Sequence, residues 1–120
     1  MKIYVAGNNL KRARAVMDDL IARGHIITFD WVSDIKNNTN PLQKVQKIIA
    51  EREAVKEADA LVLLWAPDQE SARYEAGMAM GLHKPIVVSE FTKKEKWFTL
   101  LPEVVSVDSD KDIITALELL

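Results

Sequence analysis

Residues 59–65 of the chain read DALVLLW, one acidic residue followed by an uninterrupted apolar run. Pro67 and Asp68 follow closely and end the run, so its length suits a strand better than a helix. A strand that is apolar at every position is buried on both faces, which is typical of a parallel sheet covered by helices on each side. The stretch therefore predicts the centre of an α/β fold.

Strand-like and helix-like segments alternate outward from this stretch in both directions. Alternation of this kind indicates right-handed crossovers and a parallel sheet with helices on both faces. We therefore predict one domain over residues 1–120 with a Rossmann-like or flavodoxin-like doubly wound five-stranded sheet in three α/β/α layers. The predicted strands are 2–6, 25–30, 60–65, 86–88 and 104–107; the predicted helices are 10–23, 41–58, 71–82 and 110–120, with a polar loop over 33–40 and a short amphipathic piece over 94–100.

Local signals place the ends of the helices. Asn8 or Asn9 can cap the first helix, because an asparagine side chain accepts a hydrogen bond from a free backbone N–H. Gly24 suits the left-handed turn after that helix, and Pro41 suits the first turn of the next. The apolar positions at helical spacing are Ala13, Val16, Met17, Leu20 and Ile21 in the first helix, and Val45, Ile48, Ile49 and Val55 in the second.

Composition excludes several classes of function. The 120 residues contain no cysteine, which rules out disulfides, thiol catalysis and thiolate metal sites. Sixteen basic and eighteen acidic residues give a net charge of −2, which provides no field for a nucleic-acid polymer or a membrane surface. The apolar runs are too short to span a bilayer and no signal region opens the chain. We expect a cytoplasmic globular protein.

In a doubly wound sheet, ligands bind beyond the carboxyl ends of the strands where the winding reverses. The loops at that edge are 7–9, 30–34, 66–71 and the segment from 89 onward. The two histidines are far apart and no carboxylate spacing suggests a metal pair, so we expect neither metal nor other cofactor. A lone Gly7 does not make a dinucleotide loop, which argues against a dehydrogenase. A receiver domain is rejected because the acidic residues it needs after the first strand are replaced by Gly7, Asn8 and Asn9.

Glu75 is the most informative single position. It lies one turn into the predicted helix 71–82, which follows the central strand, so its side chain can project over the strand ends. The positive end of the helix dipole there favours its charged form. From its position alone, a glutamate exposed on the surface is the simpler interpretation. The helix also contains Gly77, Ala79 and Gly81, and glycine inside a helix costs about 0.5–1 kcal/mol relative to alanine. These small residues indicate close packing, either inside the chain or against the same helix of a partner chain.

Several short motifs in order resemble the nucleoside 2-deoxyribosyltransferase family, which includes related deoxynucleotide N-hydrolases. The opening 2–7 matches the family's IYxAG, residues 58–59 match the AD that opens a strand, 75–79 match ExGxA, and 81–85 resemble GKP with one or two extra residues. The similarity covers nearly the whole chain. It implies a homodimer or larger homo-oligomer that cleaves the N-glycosidic bond of a small nucleoside or nucleotide.

The resemblance also implies roles for individual residues. Glu75 takes the place of the nucleophile that attacks C1′ of deoxyribose and holds it covalently, before a base or water accepts the sugar. Glu51 falls on the second carboxylate, which binds sugar or protonates the departing base, and Tyr4 on the tyrosine that orients the nucleophile. The predicted substrate-binding residues are Gly7, Asn8, Trp31, Asp68 and Ser71. Trp31 is equally consistent with a packed core residue.

The loop 67–72 is the least family-like part. Ser71 replaces the glycine found four residues before the nucleophile, and Gln69 stands where transferases have Asp and nucleotide hydrolases Ser. These departures motivate an alternative, a non-catalytic nucleotide-binding or sensing domain of the same fold.

Overall fold

The computed structural model of the chain describes residues 1–34, 40–91 and 98–120. The strands are β1 (Lys2–Ala6), β2 (Ile26–Ile27), β3 (Ala60–Leu64), β4 (Ile86–Ser89) and β5 (Val104–Val107); the helices are α1 (Leu10–Ala22), α2 (Pro41–Glu57), α3 (Ser71–Gly81) and α4 (Ile113–Glu118), with 3-10 turns at Phe98–Leu100 and Asp110–Asp112. The greater part of the predicted polar loop and residues 94–97 of the predicted amphipathic piece lie outside the described residues.

The five strands form one parallel sheet in the order β2-β1-β3-β4-β5. This is the flavodoxin-like order, and the predicted doubly wound α/β fold is confirmed. All five residues of β3 are buried, as the apolar run requires. The winding reverses between β1 and β3, so the ligand-binding crevice is expected above those two strands.

Asparagine side chains cap α1 and α2, and the cap at Asn9 is one that the sequence predicts. The Asn9 side chain accepts a hydrogen bond from the Arg12 backbone N–H at 3.0 Å, and Asn40 caps α2 in the same way, with Pro41 in the first turn. Gly24 has φ +87° after α1, the left-handed conformation that glycine adopts without strain. These caps set where α1 and α2 begin and therefore how they lie on the sheet.

The second strand is shorter than predicted, Ile26–Ile27 in place of 25–30. The Asp30 carboxylate accepts a hydrogen bond from the Ser33 backbone N–H at 3.1 Å, which turns the chain away from the sheet. Trp31 then packs inward and donates its indole N–H to the Val5 carbonyl at 2.7 Å. A side-chain turn therefore ends a segment whose composition alone favoured a longer strand.

The apolar faces of α1 and α2 are covered to different degrees. In α1 the predicted core residues are buried except Ile21, which is 50% exposed. In α2 only Ala54 and Val55, near its carboxyl end, are buried. The large apolar residues in the rest of α2 form an exposed stripe: Leu42, Val45, Ile48 and Ile49. None of the helices in the described segments combines the length and apolar character needed to cross a membrane.

Candidate active site

A cleft of about 270 Å³ opens at the carboxyl ends of β1 and β3, where the sheet reverses its winding. Its size lies at the lower edge of the range for small-molecule pockets. The residues that line it are Tyr4, Gly7, Trp31, Lys44, Lys47, Ile48, Glu51, Ser71 and Glu75. The structure thus brings six of the eight predicted site residues to one cleft.

Tyr4 and Glu75 form the floor of this cleft. Tyr4 is the third residue of β1 and is 1% exposed, while Glu75 lies one turn into α3 and is 6% exposed. The Tyr4 hydroxyl donates a hydrogen bond to Oε2 of Glu75. Burial and the neighbouring Glu75 carboxylate both raise the pKa of Tyr4, so its hydroxyl keeps its proton and acts as a donor. The bond fixes the orientation of the Glu75 carboxyl group.

Glu51 approaches Glu75 from α2, close enough for the two carboxyl groups to be electrostatically coupled and to share a hydrogen bond when one of them is protonated. A hydrogen bond between carboxyl groups requires a proton on one of them. Burial, the larger effect, together with the charge of Glu51 raises the pKa of Glu75 to about 8, against the opposing Tyr4 hydrogen bond. Burial also raises the pKa of Glu51, which Lys47 partly offsets. The pair therefore holds one proton between them at neutral pH.

This electrostatic state differs from the sequence expectation that Glu75 is held charged. The helix dipole favours the anion, but Glu75 is removed from water and faces a second carboxylate. Desolvation of a carboxylate outweighs a dipole effect that is typically below about 1 kcal/mol. The resting site consequently contains a proton donor and an acceptor in one pair.

Three predicted residues form the walls of the cleft. Trp31 presents its ring to the cleft while its N–H is satisfied by the β1 backbone. Gly7 comes close to β3, and a Cβ added there would lie 3.3 Å from Cβ of Leu64. A larger residue at position 7 would therefore require Leu64 to shift by a few tenths of an ångström. Ser71, the first residue of α3, is the third wall residue.

Asn8 and Asp68 are placed together but are not among the residues that line the cleft. The Asn8 side-chain amide donates to the Asp68 backbone carbonyl at 2.8 Å and so joins the loops after β1 and β3. Their predicted role as substrate contacts stays a prediction. Gln69 is buried and donates to the Leu64 carbonyl at 2.5 Å, so it braces the end of β3.

Sequence reasoning missed Lys44, Lys47 and Ile48, which line the cleft from α2. Their spacing could have revealed them, because Lys47 precedes Glu51 by four residues and Lys44 by seven. Both intervals place side chains on the same face of a helix. Once Glu51 is assigned to the site, those lysines follow.

A second charged cluster braces the adjoining edge of the sheet. Arg12 donates two hydrogen bonds of 2.8 Å to Asp110, a further one of 2.7 Å to the Trp65 carbonyl, and pairs with Glu90 at 2.8 Å. The guanidinium lowers the pKa of Asp110, which also accepts a hydrogen bond from the Ser89 hydroxyl at 2.6 Å. The cluster joins α1 to the carboxyl ends of β3 and β4 and to the 3-10 turn that precedes α4. No local sequence pattern predicts it.

The small residues of α3 are not explained by packing inside the chain. Ala79 is fully buried, but Gly77 and Gly81 are exposed, and a Cβ added at either would meet nothing within 4 Å. The interpretation that close packing within the chain requires these two glycines is therefore wrong. Tyr74, 67% exposed, and Leu82, 48% exposed, lie on the same helix and its C-cap.

The comparisons with known proteins support the fold and nothing finer. No protein-family model matches the chain and no curated protein matches it. Among solved structures, a CMP N-glycosidase of Clostridium botulinum matches with a TM-score of 0.64 at 17% sequence identity, over 100% of both chains. At that identity the shared property is the architecture.

Proposed function

We propose that this protein cleaves the N-glycosidic bond of a nucleoside or nucleotide, with 2-deoxyribosyl transfer through a covalent intermediate on Glu75. The observation that carries the proposal is the Tyr4–Glu75–Glu51 cluster at the switch point of the sheet. The similarity of fold to a protein described as a CMP N-glycosidase supports it.

In the first step, an oxygen of ionised Glu75 attacks C1′ while the bond from C1′ to the base nitrogen breaks. The electron pair of that bond leaves with the base. An oxocarbenium-like transition state is stabilised by a nearby carboxylate, and the Tyr4 hydroxyl holds that carboxylate in line. The result is a glycosyl ester of Glu75.

The departing base needs a proton, and Glu51 supplies it. The resting pair carries one proton, which can pass along the hydrogen bond to Glu51 and leave Glu75 as the nucleophile. In the second step ionised Glu51 removes a proton from water, or from an acceptor base, as that group attacks C1′ and the ester breaks. The pair thereby recovers its starting proton, and two carboxyl groups perform general acid and general base catalysis in turn.

The alternative function is nucleotide binding or sensing without turnover. Two observations favour it: Ser71 in the cleft at the family's glycine position, and the proton that Glu75 holds at neutral pH. A protein of this kind would bind nucleotides and release no base.

We further propose that the protein is a homodimer formed through α2 and α3. The α2 stripe defined above and Tyr74 expose apolar side chains at 44–67% of their surface, and α2 and α3 contact each other on one side of the sheet. Contiguous apolar surface of this kind is rare on monomers and marks interfaces. The open space over Gly77 and Gly81 can admit side chains of a second copy. A twofold interface needs only one such self-complementary face.

Product analysis tests the catalytic proposal. The protein is incubated with cytidine, deoxycytidine, CMP and dCMP, and with the corresponding adenine compounds, each with and without a different free base, and products are separated by chromatography. We expect release of free base, and a new nucleoside or nucleotide only if a base can accept the sugar. Tight binding by calorimetry, with no base released over a long incubation, would instead establish the sensing function.

A further inference from the structure

We infer that Lys44 and Lys47 form a subsite for the 5′-phosphate, so that the substrate is a nucleoside 5′-monophosphate and not a free nucleoside. The inference rests on the proposed function, because it places the reacting sugar between Glu75 and Glu51. Both lysines line the same cleft as the two carboxyl groups.

The geometry of α2 separates the lysines from the reacting carbon by a suitable distance. With a rise of about 1.5 Å per residue, Lys47 lies about 6 Å and Lys44 about 10 Å from Glu51 along the helix. All three share one helix face, since the intervals are four and seven residues. A sugar with C1′ at Glu75 can therefore direct its 5′ group towards the lysines.

An anionic substrate needs the two lysines in the cleft, because the other charged groups there are negative. The carboxyl pair carries one negative charge after sharing a proton, and Asp34 adds a further one near Glu51. Without lysines this cleft would repel a phosphate. Lys44 and Lys47 counter those charges, whereas a neutral nucleoside would gain nothing from two ammonium groups at the mouth.

The lysines are also available to a ligand. Neither takes part in the ion pairs formed within the described residues, unlike Lys56 on the same helix, which pairs with Glu53 at 3.6 Å. Lys44 is exposed and Lys47 half-buried, so a phosphate can reach both lysines without breaking an ion pair, and it would share Lys47 with the nearby charge of Glu51. An ammonium group on a flexible stem is a common partner for phosphate.

Calorimetry with the four common deoxynucleosides, their 5′-monophosphates and their 3′-monophosphates tests the inference. For the base that binds best, we expect the 5′-monophosphate to bind at least about tenfold tighter than the nucleoside and the 3′-monophosphate to show no such gain. In the double variant Lys44→Gln/Lys47→Gln the ratio of the two affinities should fall to about one, whereas in the matched variant Lys56→Gln it should equal that of the wild type. Added salt should reduce the ratio, because the contacts are exposed to solvent.

Equal binding of nucleoside and 5′-monophosphate, or a ratio that survives the double variant, would overturn the inference. Failure of the proposed function gives a different result. Base release without a phosphate preference would reject the lysine subsite and leave the glycosidase. Lysine-dependent binding of 5′-monophosphates without base release would reject the glycosidase and leave the subsite.

Discussion

Glu75 is buried, accepts a hydrogen bond from Tyr4 and shares a proton with Glu51, and its two partners lie on different elements of the fold. β1 supplies Tyr4 and α2 supplies Glu51. A group held in this way should affect both the stability of the fold and the rate of the reaction.

The stability of the protein should depend on the ionisation of Glu75. The folded pKa of about 8 lies above the ordinary value of 4.5, so the folded chain binds this proton more tightly than the unfolded chain. The contribution is fully present below pH 4.5 and is lost as the pH rises through about 8. Because glutamine does not titrate, the free energy of unfolding of Glu75→Gln should rise relative to that of the wild type as the pH increases across this range.

Urea denaturation at pH 5 and at pH 9 measures this difference. The exposed Glu53→Gln variant is the control and should track the wild type at both pH values. Parallel behaviour of Glu75→Gln and wild type would show that Glu75 titrates normally.

Tyr4→Phe should slow base release while preserving the fold. The variant keeps the buried ring and removes the hydroxyl that lowers the pKa of Glu75. We expect kcat/KM to fall roughly tenfold to hundredfold, the range for a hydrogen bond to a charged group. The pH at which activity rises should also move upward, because the remaining effects on Glu75 all raise its pKa. An unchanged pH profile of kcat/KM would contradict the orienting role.

At the scale of elements, the end of α3 contains a left-handed residue that is not glycine. His83 has φ 57°, directly after the C-cap residue Leu82, and the Lys84 backbone N–H bonds back to the Ala79 carbonyl at 3.0 Å. This is the helix-ending arrangement in which glycine is preferred.

His83→Gly should therefore stabilise the protein by about 1 kcal/mol, because the exposed imidazole contributes no packing and glycine removes the strain. The reverse change, Gly24→Ala, should destabilise by about 1 kcal/mol, since Gly24 has φ +87° with open space around it. Shifts in the urea midpoint measure both, and a destabilised His83→Gly would show that the side chain matters more than the backbone.

Element boundaries were predictable where the cause is local. The apolar run of β3, the cap at Asn9, Pro41 in the first turn of α2 and the stop at Gly24 all act within a few residues, and the structure confirms each. The end of β2 was not predictable in this way, because it depends on a side-chain turn at Asp30 that competes with the sheet.

The site was predictable in part for the same reason. Motif order singled out Glu75, Glu51 and Tyr4, which the structure brings to one cleft, whereas the shared proton arises only when α2 and α3 place two carboxyl groups together there, with Glu75 buried. The Arg12 cluster joins positions 98 residues apart, a separation at which no sequence period operates.

At the scale of the whole molecule, the exposed apolar stripe on α2 has a cost in water that a second copy would remove. Light scattering should give a mass of twice 13.5 kDa for the wild type. Val45→Asp and Ile49→Asp should give the single-chain mass, because each places a charge in the buried centre of the proposed interface.

The matched control is Ile21→Asp on α1, a helix of the opposite layer, where the isoleucine is 50% exposed. That variant should remain dimeric. A wild type of single-chain mass, or a dimer that tolerates both α2 charges, would remove α2 from the interface.

The most direct measurement of the central claim compares the rates of base release by the wild type, Glu75→Gln and Glu53→Gln on the best substrate. With all three folded by circular dichroism, Glu75→Gln should lose more than about a thousandfold in kcat, and Glu53→Gln, an exposed glutamate on α2, should match the wild type. Equal rates for Glu75→Gln and the wild type would contradict a nucleophilic role for Glu75.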